Sequence, residues 1–294
     1  MSKFEILFGR LRSVIIGMVH VRALPGSPRS SKSLNEITEI ALKEAAIYEK
    51  AGIDGIMLEN MHDLPYVSPS QVTPETVACM TRVASEVRMH FPRMPLGVQV
   101  LSCYNQEALA VATAAGLNFI RAEGFVFSHI GDEGPVNSCA AELVRYRKTI
   151  GAENIQIFTD VKKKHSAHAL TSDVSITDTA KAAEMFLSDG VIVTGSMTGQ
   201  PTNAHEVAEV SSEVNIPVIV GSGVNADNFK SYMDANAIII GSHFKMSGRW
   251  DEEVDYIRVN HFMGKVKRQR ARKEIEQRRA EEANDFTPIS AQGE

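Results

Sequence analysis

The strongest constraint on the fold is an eightfold alternation of short apolar runs and helical patterns. The runs are rich in β-branched residues and span residues 14–20, 55–60, 96–101, 118–124, 155–161, 191–195, 217–223 and 237–242. Their nearly continuous apolar character is typical of parallel strands buried on both faces. Eight strand–helix units predict an α/β fold, a single (β/α)8 TIM barrel, with a doubly wound parallel sheet as the alternative.

Helical periodicity fills the segments between and after these runs. It predicts helices at residues 34–51, 74–90, 106–115, 140–149, 176–188, 204–214, 226–235 and 251–265. Local signals agree, because Pro74 stands at a helix start, where its missing N–H costs nothing. The chain therefore alternates strand and helix without a long linker.

Length and charge divide the chain into one domain and a tail. Residues 1–264 hold all eight units, and an α/β barrel of about 250 residues forms one domain. Residues 265–294 predict a charged helical extension, and residues 265–273 hold six basic residues and no acidic one. The formal net charge of −5 argues against a nucleic-acid-binding protein as a whole. A nucleic-acid contact, a nuclear import signal, a partner helix and a solvated extension remain hypotheses for the tail.

The composition indicates an intracellular protein without a membrane span. Cys79, Cys103 and Cys139 have no metal or redox spacing and are expected to be reduced thiols. No apolar stretch reaches the roughly 18 residues that a membrane span needs. We expect a cytoplasmic location. The weakly basic, amphipathic residues 1–13 leave a mitochondrial location as the alternative, although they could equally cap the bottom of the barrel, which we favour.

Two glycine–serine turns follow the seventh and eighth predicted strands. In a (β/α)8 barrel, the loops after these two strands form the usual phosphate site, where glycine lets backbone N–H groups approach the anion. The predicted phosphate-binding residues are Thr194, Gly195, Ser196, Gly221, Ser222, Gly223, Gly241 and Ser242. The alternative is that these glycines only form tight turns.

Polar residues at the other strand ends are candidates for chemistry, because barrel active sites lie at the carboxyl ends of the strands. The predicted catalytic residues are His20, Glu59, Asp160, Lys162 and His165, and the predicted substrate-binding residues are Asn60, Gln99 and Arg121. A carboxylate would act as general base and a histidine or lysine as acid. For Arg121, a mutual ion pair with Glu123 is an open alternative.

A divalent metal is a further possibility at the same strand ends. No HxH or HExxH spacing occurs in the chain. A site assembled from Glu59, Asp160 and His165 would offer nitrogen and oxygen ligands suited to Mg, Mn or Zn. Whether a metal binds stays open at this point.

Several segments together resemble the BtpA family. They are IIGMVHVRALPGSP, AGIDGIMLENMHDLPY, LGVQVL, FTDVKKKH, VIVTGSMTGQPT and VIVGSGV, which span residues 15–224 in order, and the match continues to about residue 248. The resemblance implies a barrel related to the ribulose-phosphate-binding barrels. The family name comes from photosystem I biogenesis. The resemblance supports the fold and the site more than a particular reaction.

Three functional hypotheses follow. The first is an enzyme that binds a phosphorylated sugar or nucleotide-like metabolite and performs acid–base isomerase or lyase chemistry. The second is a metal-assisted hydrolase, and the third is a non-catalytic assembly or stability factor with a ligand-sensing barrel. A homo-oligomer is possible, since barrels often form symmetric assemblies.

Overall fold

Eight parallel strands close into a barrel in the computed structural model, which describes residues 1–195 and 201–285. The barrel strands are β1 (Val14–His20), β2 (Gly55–Glu59), β3 (Leu96–Gln99), β4 (Phe119–Ala122), β7 (Gln156–Val161), β9 (Gly190–Val193), β10 (Val218–Val220) and β11 (Ala237–Ile240). Each pairs with its neighbour in chain order, and β11 closes the barrel against β1. The predicted (β/α)8 barrel is confirmed, and the doubly wound alternative is wrong.

Helices lie between the barrel strands and before and after them. They are α1 (Lys3–Phe8), α2 (Leu34–Ala51), α3 (Pro74–His90), α4 (Asn105–Ala115), α5 (Ala140–Thr149), α6 (Ile176–Met185), α7 (Ala204–Glu213) and α8 (Tyr256–Asp285). Local sequence fixes their ends. Ser33 and Glu36 form a capping box that starts α2, and Gly52 ends α2 in the left-handed conformation.

The predicted helix at residues 226–235 is wrong. This segment contains only a short 3-10 turn at Phe229–Tyr232. The side-chain oxygen of Asn225 accepts hydrogen bonds from the N–H groups of Asp227 and Asn228, and that of Asn228 accepts from Asn225 N–H. Such local bonds compete with the helical ladder and keep the loop after β10 close to the barrel mouth.

The amino end of the barrel is closed by helix α1. Phe4 and Phe8 are buried, and their rings lie 6.0 Å from Phe158 and 5.8 Å from Phe119, respectively. Aromatic pairs at such distances contribute beyond the apolar area that they bury. The structure therefore gives residues 3–8 the capping position that the sequence analysis favoured.

The carboxyl end carries a small antiparallel sheet that the sequence did not predict. It consists of β5 (His129–Gly131), β6 (Gly134–Val136) and β8 (Ser166–Ala167), in the order β6–β5–β8. The first two strands form a hairpin after β4, and the third follows β7. Loops from two barrel strands are thereby joined above the mouth of the barrel.

Helix α8 runs well beyond its predicted end at residue 265. Val266 is fully buried, Arg270 donates to the Ser13 carbonyl and bonds the Asp54 carboxylate, and Lys273 pairs with Asp234 at 2.6 Å. The first part of the charged extension thus packs on the barrel, while the division at residue 264 stays a prediction.

None of the helices in the described residues has the length and the apolar composition that crossing a membrane requires.

Candidate functional site

The inward-facing side chains at the carboxyl ends of the strands surround one cavity. Successive side chains of a strand alternate between the barrel interior and the helix layer. Every second residue therefore faces the interior, and this decides which side chain at each strand end faces the cavity. His20 lies opposite Glu59, and Glu59 lies opposite Gln99, across neighbouring strands. The cavity has a volume of about 490 Å³ and is lined by side chains from both the barrel and the loops above it. This size suits a small metabolite.

His20 is a buried neutral imidazole with one nitrogen free to accept a proton. Its Nδ1 donates to the carbonyl oxygen of Trp250 at 2.8 Å, which leaves the lone pair on Nε2. Burial lowers the pKa of His20 well below its ordinary value, and the positive charge of Lys245 lowers it further. A Cβ atom at Gly241 would lie 3.1 Å from Nε2, so glycine there leaves room for the ring.

Glu59 is the neighbouring buried carboxyl group. Burial raises its pKa, although the charges of Arg121 and Lys164 act in the opposite direction. Its carboxyl lines the same cavity as His20. A carboxyl with a raised pKa exchanges protons closer to neutral pH, which is the property needed for acid–base chemistry.

Arg121 and Asp160 form a buried bidentate ion pair. Arg121 Nε and Nη2 donate to the two Asp160 oxygens at 2.8 and 2.7 Å. Burial opposes the charge of Arg121, but Asp160 raises its pKa above the ordinary value. Arg121 lines the cavity and Asp160 lies behind it. The geometry favours an orienting role for Asp160 over the predicted role as base, and the alternative Arg121–Glu123 pair is replaced by a Lys163–Glu123 contact of 3.5 Å.

The lysine that reaches the cavity is not the predicted one. Lys162 has a positive φ of 47°, and its Nζ donates to the Thr171 carbonyl oxygen at 2.8 Å, away from the cavity. Lys163 and Lys164 line the cavity instead. Burial and the nearby Arg121 lower the pKa of Lys164. The sequence KKK after β7 signalled a lysine here, but the turn of the chain decides which one points inward.

His165 and Asn60 do not face the barrel interior. His165 is an exposed residue at the rim of the cavity, and its pKa is lowered by burial of the ring and by Lys164. Asn60 accepts from Leu101 N–H at 2.7 Å and donates to Asp63 at 3.0 Å. These bonds tie the ends of two strands together, so Asn60 supports the site from behind and does not line it.

The two glycine–serine turns lie side by side, with Gly241 next to His20. The cavity is lined there by Gly221, Ser222, Gly223, Gly241 and Ser242. The backbone N–H groups of Gly223, Ser242 and His243 donate to no acceptor in the described part of the chain. Glycine is required at position 221, because a Cβ atom there would lie 2.5 Å from Ile192 Cγ2.

Two more of the predicted phosphate-binding residues, Thr194 and Gly195, form hydrogen bonds within the cavity wall. Thr194 Oγ1 accepts from Lys164 N–H at 3.2 Å, and Gly195 N–H donates to Ser222 Oγ at 2.9 Å. Ser196 lies outside the described residues. The end of β9 therefore positions the lysine and the serine that line the cavity.

Several lining residues were missed by the sequence analysis. Arg258 extends from α8 and donates from Nε to the His243 carbonyl at 2.7 Å, beside the second glycine–serine turn. Trp250 and Glu133 come from the loop after β11 and from the hairpin. For Trp250 and Glu133, the sequence signal was their position in loops after strands, which does not tell which side chain turns inward.

The described residues show no cluster of side chains that could hold a metal ion. Within residues 1–195 and 201–285, no three His, Cys, Asp or Glu side chains come together as a metal site. Both oxygens of Asp160 accept from Arg121, so Asp160 would have to leave that pair to join Glu59 and His165. A Mg, Mn or Zn site stays a prediction.

The comparison with known families identifies the family of this chain. The chain matches the BtpA family over residues 11–268. The protein belongs to the BtpA family. The resemblance noted in the sequence is thereby confirmed, and the match extends from before β1 into α8.

Proteins with similar sequences are found in an animal, in archaea and in a cyanobacterium. An uncharacterized mitochondrial protein of Caenorhabditis elegans is 46% identical over 88% of this chain and 95% of its own length. An uncharacterized protein of Pyrococcus furiosus is 35% identical over 83% and 91%, and the photosystem I biogenesis protein BtpA of Synechocystis is 34% identical over 85% and 86%. The name of the Caenorhabditis elegans relative is compatible with the mitochondrial alternative. The location of this chain stays a prediction.

Solved structures with a similar fold are more distant. A thiamine phosphate pyrophosphorylase of Pyrococcus furiosus gives a TM-score of 0.50 over 86% of this chain and 96% of its own. A monomeric form of the phosphoribosylanthranilate isomerase of Thermotoga maritima gives 0.53 over 87% and 98%. Both are 12% identical to this chain, so they show the barrel fold alone.

Proposed function

We propose that this BtpA-family barrel is an enzyme that binds a phosphorylated small metabolite and transfers a proton on it. One observation carries the proposal: backbone N–H groups at the glycine–serine turns, which donate to no acceptor among residues 1–195 and 201–285, share a cavity with His20 and Glu59. One wall can therefore hold an anion while the other presents groups that exchange protons. The reaction class that fits is an isomerisation or a lyase reaction.

The anion wall is suited to phosphate by its donors. Gly223, Ser242 and His243 supply backbone N–H groups, and Arg258 places a guanidinium beside them. Charge-assisted bonds from such donors are stronger than those between neutral groups. The names of the two structural neighbours, a thiamine phosphate and a phosphoribosyl enzyme, support the same ligand chemistry.

The proton-transfer wall pairs a base with cationic groups. His20 Nε2 would take a proton from a carbon next to a carbonyl group, and the electron pair would move onto the carbonyl oxygen. Lys164 and Arg121 would stabilise the negative charge that develops on that oxygen. Glu59 would then give a proton to the neighbouring carbon, and transfer of the proton on His20 to Glu59 would return both groups to their starting states.

A thermal-shift screen tests this proposal. The panel contains phosphorylated metabolites with and without Mg, Mn or Zn, and a ligand at about 100 times its Kd adds about 2.7 kcal/mol of stability. Ser242→Asp places a carboxylate on the anion wall and should abolish the shift. The exposed Ser212→Asp on α7 adds the same charge elsewhere and should keep it.

Each outcome of the screen has a distinct meaning. A shift in wild type and Ser212→Asp, but not in Ser242→Asp, supports the phosphate wall. A shift that needs a divalent metal favours the metal-assisted hydrolase. The absence of any shift overturns the proposal and favours the assembly factor, which the photosystem I biogenesis name of the Synechocystis relative supports.

A further inference from the structure

Two buried hydrogen-bond acceptors line the cavity without a partner. Gln99 is 2% exposed, and its Oε1 has no hydrogen-bond partner within the described part of the chain. Glu133 Oε2, on the hairpin between β5 and β6, is also buried and unpartnered there. Buried polar atoms are almost always hydrogen-bonded, and an exception calls for a ligand or a water. Both atoms are therefore acceptors that a ligand or a water would have to satisfy.

These acceptors lie on the wall away from the glycine–serine turns. Gln99 ends β3, next to Glu59 on β2, and Glu133 follows β4 in the chain. Two of the cations on this side are already matched, since Arg121 binds Asp160 and Lys163 contacts Glu123. The acceptors of Gln99 and Glu133 remain available.

The cavity is thus divided by hydrogen-bonding character. The turns after β10 and β11 offer donors, and the end of β3 together with the hairpin offers acceptors. A ligand that satisfies both halves has an acceptor-rich anion at one end and donor groups at the other. Hydroxyl groups meet the second requirement without bringing a positive charge next to Lys163 and Lys164.

We infer that the ligand is a phosphorylated polyol or sugar, and that Gln99 and Glu133 determine specificity by accepting hydrogen bonds from its hydroxyl groups. This inference rests on the proposed function, because it assumes that the phosphate occupies the turns. A site built to hydrogen-bond a hydroxyl group discriminates strongly against an analogue that lacks it, since the buried acceptor is then left unpaired.

Calorimetric titration with a graded set of probes tests the inference. The probes are inorganic phosphate without an alcohol group, glycerol 3-phosphate and 2-deoxyribose 5-phosphate with two each, and ribose 5-phosphate with three. Wild type is expected to bind ribose 5-phosphate at least tenfold more tightly than inorganic phosphate. Gln99→Met keeps the approximate size of the side chain and removes the acceptor, and it should reduce this preference to less than threefold.

The control variant is Gln156→Met. Gln156 also points into the barrel but at its opposite end, where its Nε2 donates to the Lys3 carbonyl at 3.3 Å. Its substitution should leave the preference for hydroxyl groups unchanged. Gln99→Met should also unfold at an equal or higher temperature than wild type without ligand, because it removes an unpaired buried acceptor. Glu133→Ala, on a surface hairpin, provides a second variant with the same expected loss of preference.

The outcomes separate the two proposals. If phosphorylated probes bind but inorganic phosphate binds equally well, or if Gln99→Met and Glu133→Ala keep the wild-type preference, the inference is overturned and the phosphate proposal stands. If no probe binds and no phosphorylated compound stabilises the protein, both are overturned. A preference lost in both variants and kept in Gln156→Met supports the inference.

Discussion

The guanidinium of Arg121 holds both carboxylate oxygens of Asp160, through Nε at 2.8 Å and Nη2 at 2.7 Å. Both residues are buried at the carboxyl end of the barrel. The pair occupies both Asp160 oxygens, whereas the Arg121 guanidinium keeps three N–H donors outside it. We therefore propose that Arg121 contacts the ligand and that Asp160 orients Arg121.

Asp160→Asn is expected to destabilise the protein more than it alters the chemistry. Removing one partner of a buried ion pair leaves the other charge uncompensated, which costs about 3 kcal/mol of unfolding free energy. Urea denaturation measures this loss, with the exposed Asp173→Asn as the matched control. Unchanged stability together with abolished turnover would instead restore Asp160 as the general base.

His20→Gln is expected to change the pH dependence of stability. Because burial lowers the pKa of His20, the unfolded chain binds a proton below about pH 6.5 that the folded chain does not. Wild type therefore loses unfolding free energy from this group as the pH falls from 6.5 to 5, by at most about 2 kcal/mol. The variant should lack that part of the loss in urea denaturation at pH 7 and pH 5. The exposed His90→Gln should retain it, and identical slopes for wild type and His20→Gln would contradict the assignment.

Gly221→Ala and Gly264→Ala are expected to have effects of opposite sign. The added Cβ at position 221 would lie 2.5 Å from Ile192 Cγ2 and 2.9 Å from Thr194 Cγ2, and overpacking of this kind costs about 1–3 kcal/mol. Position 264 lies inside α8 with its nearest neighbour 3.7 Å away, so alanine there should gain up to about 1 kcal/mol. Thermal unfolding of the two variants checks the prediction, and equal effects would contradict the packing at Gly221.

Truncation of the charged extension is expected to separate its two parts. Val266 is buried and Arg270 binds Asp54, so deletion of residues 266–294 should lower the unfolding temperature by several degrees. Beyond Lys273, the hydrogen bonds found in the described residues stay within the helix, as in Gln277–Glu281. Deletion of residues 274–294 should therefore leave the unfolding temperature within about one degree of the full chain. A large loss from the shorter deletion would contradict this description.

The fold could be predicted from the sequence because strands and helices are each marked by a local pattern of apolar residues. The strand Val14–His20 and the helices Leu34–Ala51 and Pro74–His90 have the predicted bounds, since each is marked by its apolar pattern and its caps. The same alternation placed His20, Glu59, Gln99 and Arg121 in the barrel mouth. These residues lie on strands, where two-residue spacing determines the direction of the side chain.

The sequence was less informative beyond the strand ends. Lys162 was chosen over Lys164 because nothing in KKK shows that the backbone at Lys162 adopts a positive φ. The hairpin of β5 and β6 was missed, since strands of three residues that include Pro135 carry no recognisable alternation. Loop conformation depends on contacts between distant segments, which local patterns do not encode.

The account rests on phosphate binding by the backbone of the two glycine–serine turns, and NMR tests this most directly. The measurement follows the ¹⁵N–¹H resonances of Gly223 and Ser242 during titration with inorganic phosphate and ribose 5-phosphate, with Gly151 at the far end of the barrel as the reference. The account predicts large saturable shifts of Gly223 and Ser242 and none of Gly151. Saturable binding that leaves the resonances of Gly223 and Ser242 unmoved, or no response at millimolar concentrations of either probe, would contradict it.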